Sequence, residues 1–203
     1  TAFYTDAATW HLRLNHPSDE VTKQMGYPVC KLPCKFCAEG KSRKATSKTD
    51  PIPKGKHFGD KVHIDIKVAS VSDRHGCNRR IGFVDTATNR SWTKVMPDGT
   101  THAVKCAIRE WLVHDIANKP VKTFVFDNDP AFTSEEMSVF LSEECSPPIN
   151  KIFSAAFHQH QNGVAEHLWA RLNPLTVILL RAAPWLGTDF WGEAMDYANE
   201  CVA

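Results

Sequence analysis

The stretches VHIDIKV (residues 62–68) and TFVFDND (residues 123–129) each carry an aspartate within or directly after a run of apolar and β-branched residues. Such runs are typical of buried strands. An ionised carboxylate in a buried strand is costly unless it is paired or binds a cation. Asp65 and Asp127 are therefore candidate metal ligands rather than ordinary surface acids.

A third acidic residue, Glu166, lies in HQNGVAEH (residues 160–167), at the start of a long pattern that predicts a helix. Carboxylates from two strands and a helix start can converge on one site. Two Mg²⁺ ions about 4 Å apart, held in this way, activate the attacking oxygen and stabilise the leaving oxygen in phosphoryl displacement. Together, Asp65, Asp127 and Glu166 look like the catalytic, magnesium-binding triad of a polynucleotidyl transferase, and Mn²⁺ could replace Mg²⁺. On spacing alone, a chance triple of acids is the competing interpretation.

Near the amino terminus, His11 and His16 are followed by Cys34 and Cys37 in the pattern H-x4-H-x17-C-x2-C. Two imidazoles and two thiolates at such short spacing suit tetrahedral Zn²⁺. Cys30 is either an alternative ligand or a small buried thiol. The two-residue gap favours Cys34 and Cys37. The competing interpretation is that both histidines are surface residues of a helix and that the two cysteines are incidental.

The net charge of +1 over 203 residues neither indicates nor excludes a nucleic-acid partner. The charges are unevenly distributed, however, because the segment from Cys34 to Lys61 holds eight basic and three acidic residues. A basic stretch of this kind can follow a phosphate backbone. Lys41, Arg43 and Lys44 are the predicted nucleic-acid contacts, and a solvated linker is the alternative interpretation.

Composition also restricts the class of protein. The 42% hydrophobic content supports a packed core, and seven unevenly spread cysteines do not form a disulfide framework. No apolar run approaches the roughly 20 residues of a membrane span, and the first residues lack a secretory signal. These features predict a soluble, intracellular protein. Because the chain begins at Thr1 and ends within a helical pattern, we expect it to be a piece of a longer polyprotein.

Strand and helix patterns alternate from about residue 59. The predicted order is three strands, a helix capped by Thr100 or Thr101, a strand at TFVFD, a helix at TSEEMSVFLSEEC, a strand near NKIFSAA and a long helix. Asp85, at the end of the second strand, is expected to cap a turn. Alternation places His63 on the same face as Asp65, with no assigned role.

The segment SAAFHQHQNGVAEHLWARL resembles the sequence around the catalytic glutamate of copia-type (pseudovirus) LTR retrotransposon integrases, whose Gln-Asn-Gly-Val-Ala-Glu core is intact at residues 161–166. The signature Trp-His-x-Arg-Leu-x-His at residues 10–16 and the His-His-Cys-Cys order resemble the same family. The resemblance extends from Trp10 to Ala198. It implies an α/β, ribonuclease H-like core with a mixed five-stranded sheet and flanking helices, preceded by a small helical HHCC zinc-binding domain.

The resemblance also implies three regions: a zinc-binding domain at residues 1–45, a basic linker at residues 46–58 and the catalytic core at residues 59–203. A carboxy-terminal domain would lie beyond the last of these. Asp65 would lie on the first strand, Asp127 at the end of the adjacent fourth strand, and Glu166 at the start of the following helix.

The function implied by the family is metal-dependent 3′-end processing of element DNA and its strand transfer into target DNA. The implied partners are element ends, target DNA and further copies of the chain in a homo-oligomer, with no membrane. The implied location is the nucleus, with a cytoplasmic particle stage. Gln161 is an implied DNA contact, and Asn162 is either a second DNA contact or the cap of the helix.

Several positions depart from the family pattern. Asp129 stands where a small residue is usual, and we expect it to be a loop acid. His167, Leu168 and Trp169 replace residues that are basic in the family, which removes positive charge from the helix face that would meet DNA. A catalytically inactive, element-derived nucleic-acid-binding protein is therefore the alternative function. A ribonuclease H-type nuclease without joining activity is a third candidate, which leaves the zinc-binding module unexplained.

The aromatic residues near the carboxyl end belong to a segment that also resembles the family. We expect them to pack in the protein rather than to stack on bases. They are Trp185, Phe190 and Trp191.

Overall fold

The computed structural model describes residues 6–31, 33–40, 54–153 and 163–202. By spatial contact, the described residues fall into two compact units. The first unit contains residues 6–40 and 171–202, and the second contains residues 54–170, within the described ranges. The domain boundaries predicted from the sequence, after residues 45 and 58, stay a prediction.

Five strands form one mixed sheet in the second unit. In chain order they are β1 (Val62–Val68), β2 (Arg79–Asp85), β3 (Ser91–Met96), β4 (Thr123–Phe126) and β5 (Asn150–Phe153). Their spatial order is β3-β2-β1-β4-β5; β2 is antiparallel to β1 and β3, and β4 is parallel to β1 and β5. The α/β fold class with a mixed five-stranded sheet and flanking helices is confirmed.

One face of the sheet carries the hydrophobic core of the second unit. Alternate residues of β1 and β2 are fully buried there, among them Ile64 and Phe83. Helix α4 (Thr101–Glu110) continues as a π-helical turn at Trp111–Asp115, and the Trp111 ring stacks on Phe83 with centroids 4.5 Å apart. The period-2 pattern of the strands thus meets the apolar side of a helix.

The helix caps of this unit follow the sequence signals closely. The Thr100 hydroxyl accepts a hydrogen bond from the Ala103 amide, which identifies Thr100 as the cap of α4. The predicted helix at TSEEMSVFLSEEC begins at Ser134 and forms α6 (Glu135–Val139), with a π-helical turn at Phe140–Glu144.

A short helix that the sequence did not predict, α5 (Pro130–Thr133), precedes α6. Asp129 caps it by accepting a hydrogen bond from the Ala131 amide at 2.9 Å. Proline at the first helical position and an aspartate before it are favourable for a helix start. Asp129 was expected to be a loop acid, and together with Pro130 it starts a helical turn.

The opposite face of the sheet is covered by the beginning of α7 (Gly163–Ala182). Ala165, Leu168 and Trp169 are buried there. The part of α7 from Arg171 onward belongs to the first unit. The second unit therefore has helices on both faces of its sheet.

The first unit consists of helical segments. They are α1 (Ala7–Arg13), α2 (Asp19–Gln24), α3 (Lys35–Gly40), the later part of α7 and α8 (Trp191–Val202). Asp6 and Ser18 cap the first two helices by accepting amide hydrogen bonds. Among described residues 6–40, the buried side chains are Asn15, His16 and Thr22, and no hydrophobic residue of that stretch is fully buried.

The aromatic residues near the carboxyl end differ in burial. Trp191 is buried and Phe190 is partly buried, as expected for packing. The expectation was wrong for Trp185, whose surface is 80% exposed. Trp185 lies between the end of α7 and the 3-10 turn Thr188–Phe190. It therefore belongs to a connecting segment and not to the apolar side of a helix.

No helix among the described residues is both long enough and apolar enough to cross a membrane.

Candidate functional site

The four predicted zinc ligands lie together in the first unit. His11 belongs to α1, His16 follows that helix, Cys34 directly precedes α3 and Cys37 lies within it. His11 Nε2 is 3.3 Å from the Cys37 sulfur, and His16 Nδ1 is 3.3 Å from the sulfur of each cysteine. All four ligand atoms lie within 4.8 Å of one another.

This arrangement is compatible with a zinc ion. Tetrahedral zinc, with bonds of about 2.0 Å to nitrogen and about 2.3 Å to sulfur, holds neighbouring nitrogen and sulfur ligands about 3.5 Å apart. The three nitrogen–sulfur separations of 3.3 Å are within a few tenths of an ångström of that value, and no two ligand atoms are more than 4.8 Å apart. Cys30 is not a member of the group formed by the described residues. The arrangement therefore agrees with the choice of Cys34 and Cys37.

Asp65 and Asp127 come together because β1 and β4 are parallel neighbours. His63 on β1 pairs with Val125 on β4, and each aspartate stands two residues farther along its chain. Since side chains alternate along a strand, both aspartates continue the face that carries His63 and Val125. The predicted adjacency of these two acids across the sheet is present in the structure.

The environment of this pair disfavours two negative charges. Burial, followed by the nearby charge of Asp127, raises the pKa of Asp65 to about 6, against the opposing effect of a hydrogen bond from Trp169. Burial also raises the pKa of Asp127, and the charge of Asp129 adds to the effect. Half-buried acids with raised pKa values are typical of sites that bind a cation or move protons.

Glu166 lies in the first turn of α7 and is exposed. In the described ranges, the His-His-Cys-Cys group is the one cluster of three or more side chains that could hold a metal ion. Asp65 and Asp127 are electrostatic neighbours, and Glu166 does not complete a second cluster with them. The catalytic role of these three acids stays a prediction.

A contact that the sequence analysis missed connects α7 to the acidic pair. The indole Nε1–H of Trp169 donates a hydrogen bond to Asp65 Oδ2 at 2.7 Å. Trp169 follows Glu166 by three residues, a spacing that places two side chains on the same side of a helix. That spacing was the signal available in the sequence, and Trp169 was interpreted only as the loss of a basic residue.

Gly82 is the second residue near Asp65 that the sequence interpretation did not identify. It pairs with Asp65 across β1 and β2, and Leu168 and Trp169 pack on it. A Cβ atom added at Gly82 would lie 2.6 Å from Leu168 Cδ2 and 2.8 Å from Trp169 Cζ2. An isolated glycine within an apolar strand often marks a close approach of this kind.

Asp85 has the structural role expected of it. Its carboxylate is fully buried and accepts hydrogen bonds from the Gly59 amide at 3.0 Å, the Thr88 amide at 2.8 Å and the Thr88 hydroxyl at 2.7 Å. Asp129 is likewise used for capping, since it begins α5. Its amide also donates to Asp127 Oδ1 at 3.3 Å, which connects the cap to the acidic pair.

We expect the substitution Asp85→Ala to lower the free energy of unfolding by about 2–4 kcal/mol, because three donors lose a buried acceptor. Urea denaturation measures this change. Asp98→Ala is the matched control, since Asp98 accepts the same pair of bonds from the amide and hydroxyl of Thr100 at the surface. Its effect should be much smaller, and equal losses in the two variants would contradict a specific structural role for Asp85.

The predicted nucleic-acid contacts lie outside the described residues. They are Lys41, Arg43, Lys44, Gln161 and Asn162.

Comparison with known proteins identifies a similar solved structure. No protein-family model matches the sequence. No curated protein matches it either. The similar chain belongs to the cryo-electron microscopy structure of the simian T-cell lymphotropic virus intasome in complex with PP2A regulatory subunit B56 gamma. The TM-score is 0.60 and the sequence identity is 16%. The match covers 96% of this chain and 67% of that chain. Together with the five-stranded sheet and the His-His-Cys-Cys group, this likeness shows that the chain has an integrase-like α/β fold.

Proposed function

We propose that this chain is the zinc-binding and catalytic part of a copia-type retrotransposon integrase, a polynucleotidyl transferase that uses three acidic residues. The observation that carries the proposal is the placement of Asp65 on β1 and of Asp127 directly after β4, its parallel neighbour, in an integrase-like fold. The intact Gln-Asn-Gly-Val-Ala-Glu core at residues 161–166 supports the assignment to the copia type.

The acidic pair fits a divalent cation. The raised pKa values of Asp65 and Asp127 reflect burial and nearby negative charge, and a cation would relieve both. Asp65, Asp127 and Glu166 would hold Mg²⁺, or Mn²⁺ in its place, since all three offer hard oxygen ligands. The chemistry supplied by the bound ions is activation of the attacking oxygen and stabilisation of the leaving oxygen.

Each acid of the pair accepts a hydrogen bond from another group of the chain. The indole of Trp169 holds one oxygen of Asp65. The amide of Asp129 holds one oxygen of Asp127, and the helical turn that Asp129 caps restrains the chain just after β4. Glu166 is exposed in the first turn of α7, where its carboxylate is accessible to a substrate from solution.

In the proposed reaction, a water molecule attacks a phosphodiester near the 3′ end of the element DNA. The 3′-hydroxyl that is released then attacks a phosphodiester of the target DNA, and the 3′ oxygen of that target strand leaves. No covalent bond to the protein forms in either step. The basic segment around Lys41, Arg43 and Lys44 would contact the DNA phosphates.

The proposal extends to partners and location. The similar solved structure is an intasome, which supports DNA as the partner and a homo-oligomer as the working form. Element ends and target DNA are the proposed substrates. The proposed location is the nucleus, with a cytoplasmic particle stage.

A specific observation favours a second candidate, a catalytically inactive, element-derived nucleic-acid-binding protein. Leu168 and Trp169 stand where the family has basic residues, and both are buried against the sheet. Neither side chain is available to meet a DNA phosphate. This candidate keeps zinc and DNA binding and lacks phosphoryl transfer.

An assay of 3′-processing and strand transfer tests the proposal. The substrate is a duplex with the element's own terminal sequence, in the presence of Mg²⁺ or Mn²⁺. We expect Glu166→Gln to lower the rate at least about a hundredfold, the size of effect seen when one group that stabilises developing charge is removed. Glu193→Gln is the matched control, because Glu193 is another exposed glutamate in the first turn of a helix, α8.

The outcomes separate the candidates. Joined products that depend on Glu166 and not on Glu193 support the integrase. Cleavage without joining supports a ribonuclease H-type nuclease. DNA binding without any product, unchanged by Glu166→Gln, would contradict the integrase and favour the inactive binding protein.

A further inference from the structure

The Trp169 side chain is packed against the sheet and also makes a directed hydrogen bond to an acid. Its ring is buried, with 4% of its surface exposed, and its indole N–H is directed to the Asp65 carboxylate at 2.7 Å. An indole N–H can only donate a hydrogen bond, so the Asp65 carboxylate is the acceptor. Trp169 therefore interacts more favourably with the ionised form of Asp65 than with its protonated, neutral form.

The sheet is shaped to receive this ring. Gly82 lies directly across from Asp65 in the β1–β2 register, and the ring of Trp169, together with Leu168, occupies the space that a side chain at position 82 would fill. The indole is therefore held on two sides: by Gly82 below it and by the helical backbone of α7 from which it extends. A ring fixed in this way restricts the orientation of the carboxylate it contacts.

Trp111 shows the contrast within the same unit. It is also a fully buried tryptophan, and it stacks on Phe83. Its indole N–H has no hydrogen-bond partner among the described residues. Trp111 is a packing residue, whereas Trp169 combines packing with a directed bond to an acid.

We propose that Trp169 is a positioning residue for Asp65, which fixes the orientation of that carboxylate for binding a divalent cation. This inference rests on the proposed function, in which Asp65 is a metal ligand. Hydrogen-bond partners that orient a metal ligand typically change metal affinity or activity by 10–100-fold when they are removed. Trp169 does not touch the substrate in this role, so its loss should act mainly on metal binding.

Two substitutions remove the contact from opposite sides. Trp169→Phe keeps a ring on Gly82 and removes the N–H donor. Gly82→Ala keeps the donor and displaces the ring, because the new Cβ would lie 2.8 Å from Trp169 Cζ2. Trp111→Phe is the matched control, since it makes the same chemical change at a buried tryptophan with no acid partner.

The experiment is a Mn²⁺ titration of zinc-loaded protein, in which electron paramagnetic resonance measures the free ion. Binding that is lost in Asp65→Asn is assigned to the acidic site. We expect Trp169→Phe and Gly82→Ala to weaken this binding about tenfold or more, with Trp111→Phe unchanged. In the strand-transfer assay, the same two variants should need about tenfold more Mn²⁺ for half-maximal rate, with a smaller change in the rate at saturating Mn²⁺.

The results distinguish this inference from the proposed function. Wild-type affinity for Mn²⁺ in both Trp169→Phe and Gly82→Ala would overturn the positioning role, whether or not the protein joins DNA. Weakened binding in both variants supports the role even if no DNA product is formed, in which case the proposed function alone fails. Absence of any Asp65-dependent Mn²⁺ binding in the wild-type protein would overturn both. Urea midpoints and zinc content, measured on each variant, establish that the compared proteins are folded.

Discussion

Replacing Cys34 with serine is expected to release zinc and to unfold α1, α2 and α3, while the five-stranded sheet of the second unit stays folded. This is the largest effect that we predict. A structural zinc site supplies an apparent binding free energy of about 10–16 kcal/mol at pH 7, and that energy is available to fold the segment that binds the ion.

The reason is that the described part of residues 6–40 buries no hydrophobic side chain of its own. Within described residues 6–40, the three buried side chains are polar, and one of them, His16, is a member of the His-His-Cys-Cys group. The contacts of this segment with the rest of the first unit include an exposed Arg181–Glu39 ion pair and the hydrogen bond from the Tyr197 hydroxyl to the Arg13 carbonyl. Exposed polar contacts of this kind contribute little to stability.

Cys30→Ser is the matched control for Cys34→Ser, because it makes the same chemical change four residues earlier. Atomic emission should find about one zinc ion per chain in the wild type and in Cys30→Ser, and very little in Cys34→Ser. Limited proteolysis followed by mass spectrometry should show cleavage between residues 7 and 40 in Cys34→Ser alone. Zinc retained by Cys34→Ser and lost from Cys30→Ser would instead make Cys30 the ligand.

The substitution Asp65→Asn is expected to have opposite effects on activity and stability. Strand transfer should fall by about a thousandfold or more, since Asp65 is one of the three acids proposed to hold the divalent cation. In the absence of divalent ions at pH 7.5, the same variant should be more stable than the wild type by about 1–3 kcal/mol. Asparagine removes the buried charge and still offers an oxygen to the Trp169 indole.

The pH dependence of this gain has a definite sign. The pKa of Asp65 is about 6 in the folded protein and about 3.8 without the fold. The folded state therefore binds more protons between these values, and wild-type stability falls as pH rises through this window. The stability advantage of Asp65→Asn should be nearly absent at pH 4 and fully present above pH 7.

Urea denaturation at pH 4, 6 and 7.5 measures this advantage. Addition of Mg²⁺ at pH 7.5 provides the control, because a bound ion stabilises the wild type and not a variant that lacks the ligand. An Asp65→Asn protein that is less stable than the wild type at every pH would contradict the prediction. Asp65 would then be a structural acid held by its hydrogen bonds.

The His-His-Cys-Cys group was predictable from the sequence because its members are close to one another along the chain. His11 and His16 are separated by little more than one helical turn, and Cys34 and Cys37 by less than one. The strands were predictable for a similar reason, since alternation of apolar residues is a local pattern. The Thr100 cap and the Asp85 turn were also identified from local signals.

The surroundings of Asp65 were not predictable in the same way. Trp169 is 104 residues away along the chain, and its contact with Asp65 depends on how α7 crosses the sheet above Gly82. The exposure of Trp185 has a similar origin, because it depends on where the chain leaves α7 rather than on the aromatic character of the residue.

The sequence by itself therefore determined the order of the five strands and of helices α4, α6 and α7, the four residues of the His-His-Cys-Cys group, and the placement of Asp65 within a strand and of Asp127 directly after one. Each of these depends on the identity and spacing of residues within one helix, strand or turn. Only the tertiary structure decided that burial raises the pKa values of Asp65 and Asp127, that Trp169 donates a hydrogen bond to Asp65, and that Glu166 is exposed. These features depend on burial and on contacts between distant segments, and no local pattern specifies the distance between side chains that only the packed fold brings together.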